Sequence, residues 1–145
     1  MKISILLPFK ENFSPSYAGA VSLFVNDTIK ISKYKNNTCI FGNTKFKNTF
    51  NLNYKNILPS TNILQSQNKQ YVTEFIKIEK KRKSNLIELH NRPIYLNYLI
   101  KSLNNRTYIL YFHNDPLSMS GSKTILERIF LMKNCFKIIF NSSWS

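Results

Sequence analysis

Apolar residues along this chain fall into two alternating spacings. Short, nearly unbroken apolar runs occupy residues 3–7, 38–41, 85–90, 107–112 and 136–140. Runs of that length, bounded by Pro, Gly, Asn, Asp or Ser, predict buried strands. Between them the apolar spacing becomes helical. Val21, Phe24, Val25, Thr28 and Ile29 fall at i, i+3, i+4, i+7 and i+8 and predict a first helix. Leu64, Tyr71, Val72, Phe75 and Ile76 mark one face of a second, which runs to about Lys80 after turn and cap residues at Pro59-Ser60-Thr61-Asn62. A third opens with Pro93 in its first turn and buries Tyr95, Leu96, Leu99, Ile100 and Leu103. Ile125, Leu126, Ile129 and Phe130 mark a fourth. Residues 43–60, rich in Asn, Lys and Thr, read as a loop or a marginal strand.

The resulting order is β-α-β-α-β-α-β-α-β. Short apolar strands alternating with helices imply a parallel sheet buried on both faces. Right-handed crossovers turn that order into an α/β, Rossmann-like, doubly wound and mainly parallel sheet with helices on both faces. Residues 1–145 make one such domain.

Composition changes this picture in one respect. Hydrophobic residues are 43% and aromatic residues 14%, enough for a core. Twenty-one Lys and Arg against 7 Asp and Glu leave a net charge of +14. That excess points to a nucleic-acid or anionic-membrane partner, or to compositional drift. Lys, Asn, Ile, Phe and Tyr are all abundant and Gly numbers 3, a bias that an AT-rich genome produces without selection for binding. Drift is the reading adopted, with basic residues expected to be spread over the surface. The run Glu79-Lys80-Lys81-Arg82-Lys83 then reads as a solvated helix end, its cations suiting the negative end of the helix dipole. Cys39 and Cys135 have neither Cys nor His at metal-ligand spacing and read as buried, reduced thiols. The apolar core of the N-terminal stretch is too short for a signal sequence, and no run reaches the roughly 20 apolar residues of a membrane span. A cytoplasmic protein is expected, with peripheral contact to the inner face of an anionic membrane left open and nucleic acid disfavoured.

The distinctive polar residues cluster just after the predicted strands. Gly19-Ala20 follows the first strand and precedes a helix. His90-Asn91-Arg92-Pro93 follows the third, His113-Asn114-Asp115-Pro116 the fourth, and Asn141-Ser142-Ser143 the fifth. In a doubly wound sheet, ligands bind outside the carboxyl ends of the strands. Both histidines of the chain therefore fall where a site is expected. Each piece alone has a plainer reading as a turn, a cap or a packing contact. The chain lacks the GxGxxG of dinucleotide binders and the GxSxG of a nucleophile elbow, and neither histidine has zinc-motif spacing.

At these residues the chain resembles the N-terminal domain of retaining glycosyltransferases of family 4, which have two Rossmann-like domains (the GT-B fold). The likeness runs over essentially all 145 residues. Met1-Lys2-Ile3-Ser4-Ile5 looks like that family's opening strand and Tyr17-Ala18-Gly19-Ala20 like its Gly-Gly loop, with Ala20 in place of the second Gly. Leu86-Ile87-Glu88-Leu89-His90-Asn91-Arg92-Pro93 and Tyr111-Phe112-His113-Asn114-Asp115-Pro116 are similar to its two HN segments. Residues 138–145 look like the segment that reads V-S-x-W. The resemblance implies transfer of a hexose from a nucleotide-diphosphate sugar to a saccharide or lipid-linked acceptor with retention, with no metal and no cofactor. It implies that Gly19 and Ala20 approach the donor diphosphate through backbone N–H groups. His113 would orient the donor or stabilise developing charge. His90, Asn91, Arg92, Asn114 and Asp115 would line the acceptor side, and Ser142 and Ser143 the cleft. It also implies a C-terminal nucleotide-binding domain beyond residue 145, with an E-x7-E motif, so that this chain alone is expected to be inactive. Two other classes compete: a non-enzymatic basic module for nucleic acid or anionic membrane, and a different α/β enzyme acting on a phosphorylated substrate.

Overall fold

The computed structural model describes residues 1–60 and 64–141. Its elements are β1 (Ile3–Leu6), α1 (Ala20–Ile31), β2 (Thr38–Gly42), β3 (Tyr54–Asn56), α2 (Gln67–Arg82), β4 (Leu86–His90), α3 (Ile94–Ser102), β5 (Thr107–Phe112), α4 (Ile125–Asn134) and β6 (Lys137–Phe140). They form one six-stranded sheet in the order β3-β2-β1-β4-β5-β6, and every pairing is parallel. The fold is therefore α/β, Rossmann-like and doubly wound, with the strand order reversing at β1.

Strand alternation sorts the side chains onto two faces. Ile3, Ile5, Leu7, Ile40 and Leu86 pack under Val21, Val25 and Ile29 of α1. Leu6, Cys39, Phe41, Ile87, Leu89, Leu110 and Phe112 pack under α2, α3 and Leu131 of α4. The first face carries a single helix. It also carries Glu88, His90 and Tyr111, because these sit two residues apart along β4 and opposite one another across the β4–β5 register.

Of the two alternatives for residues 43–60, the marginal strand forms, as the edge strand β3 that makes the sheet six-stranded. Three local expectations are corrected. The second helix begins at Gln67 with Ser66 as its N-cap, whose hydroxyl accepts from the Lys69 N–H at 3.3 Å, so Leu64 lies before it. The expected cap at Thr61 and Asn62 lies outside the described residues. α4 forms, capped by Thr124 and Glu127 in a reciprocal box, yet its apolar stripe is not buried. Ile125 is 68% and Leu126 78% exposed, and only Leu131 of this helix is buried. Last, the run 79–83 is a solvated end only at Lys80, Lys81 and Lys83. Glu79 is fully buried and Arg82 turns inward.

Both cysteines are free thiols, and burial pushes Cys135 up to about 12. No described helix is long and apolar enough to cross a membrane.

Glu79 organises the amino-terminal edge of the sheet. One carboxylate oxygen accepts from Ser4 Oγ of β1 at 2.6 Å. The other accepts from the Ser84 N–H at 2.7 Å and from the Ser84 hydroxyl, and faces Arg106 Nε at 3.5 Å. Arg82 donates to Ser4 Oγ and to the carbonyls of Ile3 and Asn37. One buried carboxylate thus joins α2 to the starts of β1, β4 and β5. Removing one partner of a buried charge network costs about 3–5 kcal/mol, because the remaining groups stay buried and unpaired. Glu79→Ala is expected to lose stability in that range in urea unfolding. A loss under about 1 kcal/mol, the scale of an exposed pair, would show that the network holds nothing.

Candidate functional site at the carboxyl rim

A cavity of about 450 Å³ opens at the carboxyl ends of the strands. Its walls include Glu11, Ala20, Phe24, Asn91, Arg92, His113, Asn114 and Asn141. The loop leaving β1, the start of α1, and the exits of β4, β5 and β6 all contribute to it.

Asn91 holds this corner together. It follows β4 directly and adopts the left-handed conformation, φ 52°, which Asn tolerates better than most residues. Its N–H donates to the Tyr111 carbonyl at 2.9 Å. Its side-chain oxygen accepts from the N–H groups of His113 at 2.7 Å and Asn114 at 3.3 Å. Its carbonyl accepts from Arg92 Nη1 at 2.8 Å. The two HN segments are thereby clamped into one unit.

The two histidines touch. His90 Nδ1 lies 2.9 Å from His113 Nε2, and Asn141 Nδ2 reaches His113 Nδ1. His90 stacks on Tyr111 with centroids 4.8 Å apart and rings 7° from parallel, while Phe24 of α1 meets His113 edge-on at 4.9 Å. The far nitrogen of His90, Nε2, has no hydrogen-bond partner among the described residues, and Glu88 Oε2 stands 3.8 Å away.

One set of tautomers satisfies this chain. The Asn141 amide donates to His113 Nδ1, His113 Nε2–H donates to His90 Nδ1, and the remaining His90 proton on Nε2 faces the Glu88 carboxylate. The reverse assignment would set an unprotonated Nε2 against a carboxylate. Burial first, and then the neighbouring His90, depress His113 to about 4 from its ordinary 6.5. His113 is therefore a neutral imidazole near neutral pH, with Nδ1 as its acceptor.

The start of α1 is not an empty anion seat. The Glu11 carboxylate accepts from the Ser22 N–H at 3.0 Å. A Cβ at Gly19 would collide with that carboxylate, so the space that glycine leaves is taken by Glu11. Gly19 is the N-cap, while Ala20 lines the cavity.

The remaining expected site residues divide. Asn91, Arg92, His113 and Asn114 line the cavity. His90 is 1% exposed and lies behind His113 rather than on the wall. Asp115 turns away to cap a short 3₁₀ turn, accepting from the Leu117 N–H at 2.9 Å. Ser142 and Ser143 lie outside the described residues. Asn141, expected at the end of the fifth predicted strand, lines the cavity, and Glu11, Phe24, Glu88 and Tyr111 join the site or support it without having been singled out as site residues. Among the described residues no group of three or more His, Cys, Asp or Glu could hold a metal ion.

The chain matches no protein-family model and no curated protein.

The depressed His113 gives a pH signature with a definite sign. Between about 4 and 6.5 the unfolded chain binds a proton at His113 that the folded chain does not. Stability contributed by this group is present above 6.5, falls as pH drops through that window, and levels off below about 4. In urea unfolding at stepped pH, His113→Gln is expected to flatten the slope in that window relative to wild type. Parallel curves for the two proteins would refute the depressed imidazole.

Proposed function

We propose that this domain is the acceptor-side half of a retaining, nucleotide-sugar-dependent glycosyltransferase with two Rossmann-like domains. The observation that supports the reading best is a cavity at the strand-order reversal of a parallel sheet, walled by both HN segments and the start of α1. Polar groups converge there on a neutral imidazole rather than on a nucleophile or a metal cluster.

The tautomer chain refines the role of His113. Its Nε2–H is committed to His90, so the ring offers a ligand only the Nδ1 lone pair once Asn141 gives way. A lone pair recognises a donor, and a sugar hydroxyl is a donor in the right place. In this reading His113 orients a hydroxyl of the transferred sugar or the acceptor instead of donating to the leaving phosphate. The diphosphate is left to Arg92 and to the N–H groups opening α1, which it reaches by displacing the Glu11 carboxylate from Ser22 N. A saccharide or lipid-linked acceptor, cytoplasmic location and the C-terminal nucleotide-binding domain belong to the same proposal. The exposed apolar residues Ile125, Leu126 and Met132 on α4 support it, being a surface that a further domain would cover.

Two measurements test it. Titrating the chain with uridine, guanosine and adenosine diphosphate hexoses should move amide resonances at residues 20–24, 91–92, 113–114 and 141, and few others. In the full gene product, His113→Ala should lower kcat/KM for sugar transfer by about 10²-fold, the cost of misplacing a reacting group. No shifts with any nucleotide sugar, together with wild-type transfer by His113→Ala, would overturn the reading.

A further inference from the structure

We propose that a second cleft, at the amino-terminal side of β1 and β2, is a binding site for a compact oligophosphate group. This cleft has a volume of about 450 Å³ and is lined by Lys2, Lys55, Lys77, Ile78, Lys81 and Arg82. Five of those six residues are cationic, and they come from three separate stretches of chain. Lys2 leads into β1, Lys55 sits in β3, and Lys77, Lys81 and Arg82 lie on the last turns of α2. The cleft is walled by none of the residues of the rim site.

Ordinary structural reasons account for part of this gathering only. The negative end of the α2 dipole favours Lys81 and Arg82. It gives no reason for Lys2 and Lys55 to converge on the same place. Compositional drift raises the number of lysines but scatters them. Of the five cations, a local carboxylate pairs with Lys77 and leaves the net charge of the group strongly positive. Lys77 pairs with Glu74 at 2.7 Å in an exposed contact. Glu79, on the same helix, is buried and committed to Ser4, Ser84 and Arg106. Like charges held together repel, and an anion seated among them relieves that repulsion.

Arg82 makes the site more than a patch of mobile side chains. Its Nε donates to Ser4 Oγ at 3.1 Å, and one terminal nitrogen donates to the carbonyls of Ile3 at 3.1 Å and Asn37 at 3.0 Å. The guanidinium is fixed before any ligand arrives, which lowers the ordering cost of binding.

The lining also selects the ligand class. Among the described residues no aromatic ring lines the cleft, so none offers a nucleobase a stacking face, and Ile78 is the one apolar residue of its lining. The cleft is more open than enclosed, and its roughly 450 Å³ leaves room for a compact polyanion in contact with solvent. A cluster of two or more phosphates with little apolar body satisfies all three features. Such a cluster reaches the protein either free in solution or on a lipid headgroup.

The test uses inorganic tripolyphosphate as the probe, followed by isothermal titration calorimetry at low salt. One saturable site is expected. Lys55→Ala with Lys81→Ala should weaken binding roughly tenfold; both side chains are exposed and Arg82 is left in place to hold β1 and β2. Lys101→Ala with Lys133→Ala removes the same charge from α3 and α4 and should leave binding unchanged. Absence of saturable binding, or equal weakening by the two pairs, overturns the proposal. Sedimentation with cardiolipin–phosphatidylcholine vesicles, whose anionic headgroup carries two phosphates, identifies the source. Vesicle binding lost in the Lys55 and Lys81 variant assigns the phosphates to headgroups. Tripolyphosphate binding without vesicle binding assigns them to a soluble ligand. Vesicle binding without tripolyphosphate binding overturns the proposal, since a charged surface needs no cleft.

Discussion

The side-chain oxygen of Asn91 accepts two backbone N–H groups from the neighbouring strand exit, and the rim site depends on that clamp. A parallel sheet delivers every strand end to one edge but leaves each following loop free to wander. Asn91 removes that freedom for β4 and β5 together. With its backbone in the left-handed region, the chain reverses immediately after His90 and starts α3. His90 is thereby buried against Tyr111 while His113 is held above it within hydrogen-bond distance. Replacing the amide would release two N–H groups and separate the two histidines at once.

The two edges of the sheet solve opposite electrostatic problems. At the amino-terminal edge a buried carboxylate is satisfied by two serines and a guanidinium, so that α2 is locked to the sheet by charge-assisted hydrogen bonds. At the carboxyl rim the titrating group is kept neutral instead. Burial disfavours charge on His113, and an adjacent imidazole adds to the same effect. A neutral ring with one nitrogen committed and one lone pair available suits recognition of hydroxyl groups. The Glu11 carboxylate over the start of α1 completes the arrangement, because it satisfies a helix N–H group that would otherwise face solvent.

Much of the fold could be read along the chain because buried parallel strands are short, apolar and separated by amphipathic helices. The elements that escaped that reading have physical reasons. β3 carries Tyr54, Lys55 and Asn56 at a half-covered edge, where no apolar run is required. The stripe of α4 has helical spacing but little of the sheet to cover, so periodicity identified the helix and not its burial. Glu79 and Arg82 sit inside a run of charge that looks solvated, and only the closeness of Ser4 and Ser84 in space turns them inward. At the site, the strand-end positions of His90, Asn91, Arg92 and His113 were legible because sequence marks where a strand stops. The difference between a wall residue and a buried support was not: His90 and His113 carry the same motif, and strand register alone sets one behind the other. Asn141 was legible in the same way as a strand exit, whereas Glu11 offered no pattern, since its role comes from a loop folding back.

Recognition at the rim depends on His113 presenting an unprotonated Nδ1 to the cavity while its Nε2 proton is shared with His90. Long-range ¹H–¹⁵N correlation spectra of the imidazole nitrogens, recorded near neutral pH, read this directly. The structure predicts a neutral His113 with the proton on Nε2, a bare Nδ1, and a hydrogen-bond coupling from that proton to His90 Nδ1. A charged His113, or a proton on its Nδ1, would contradict it.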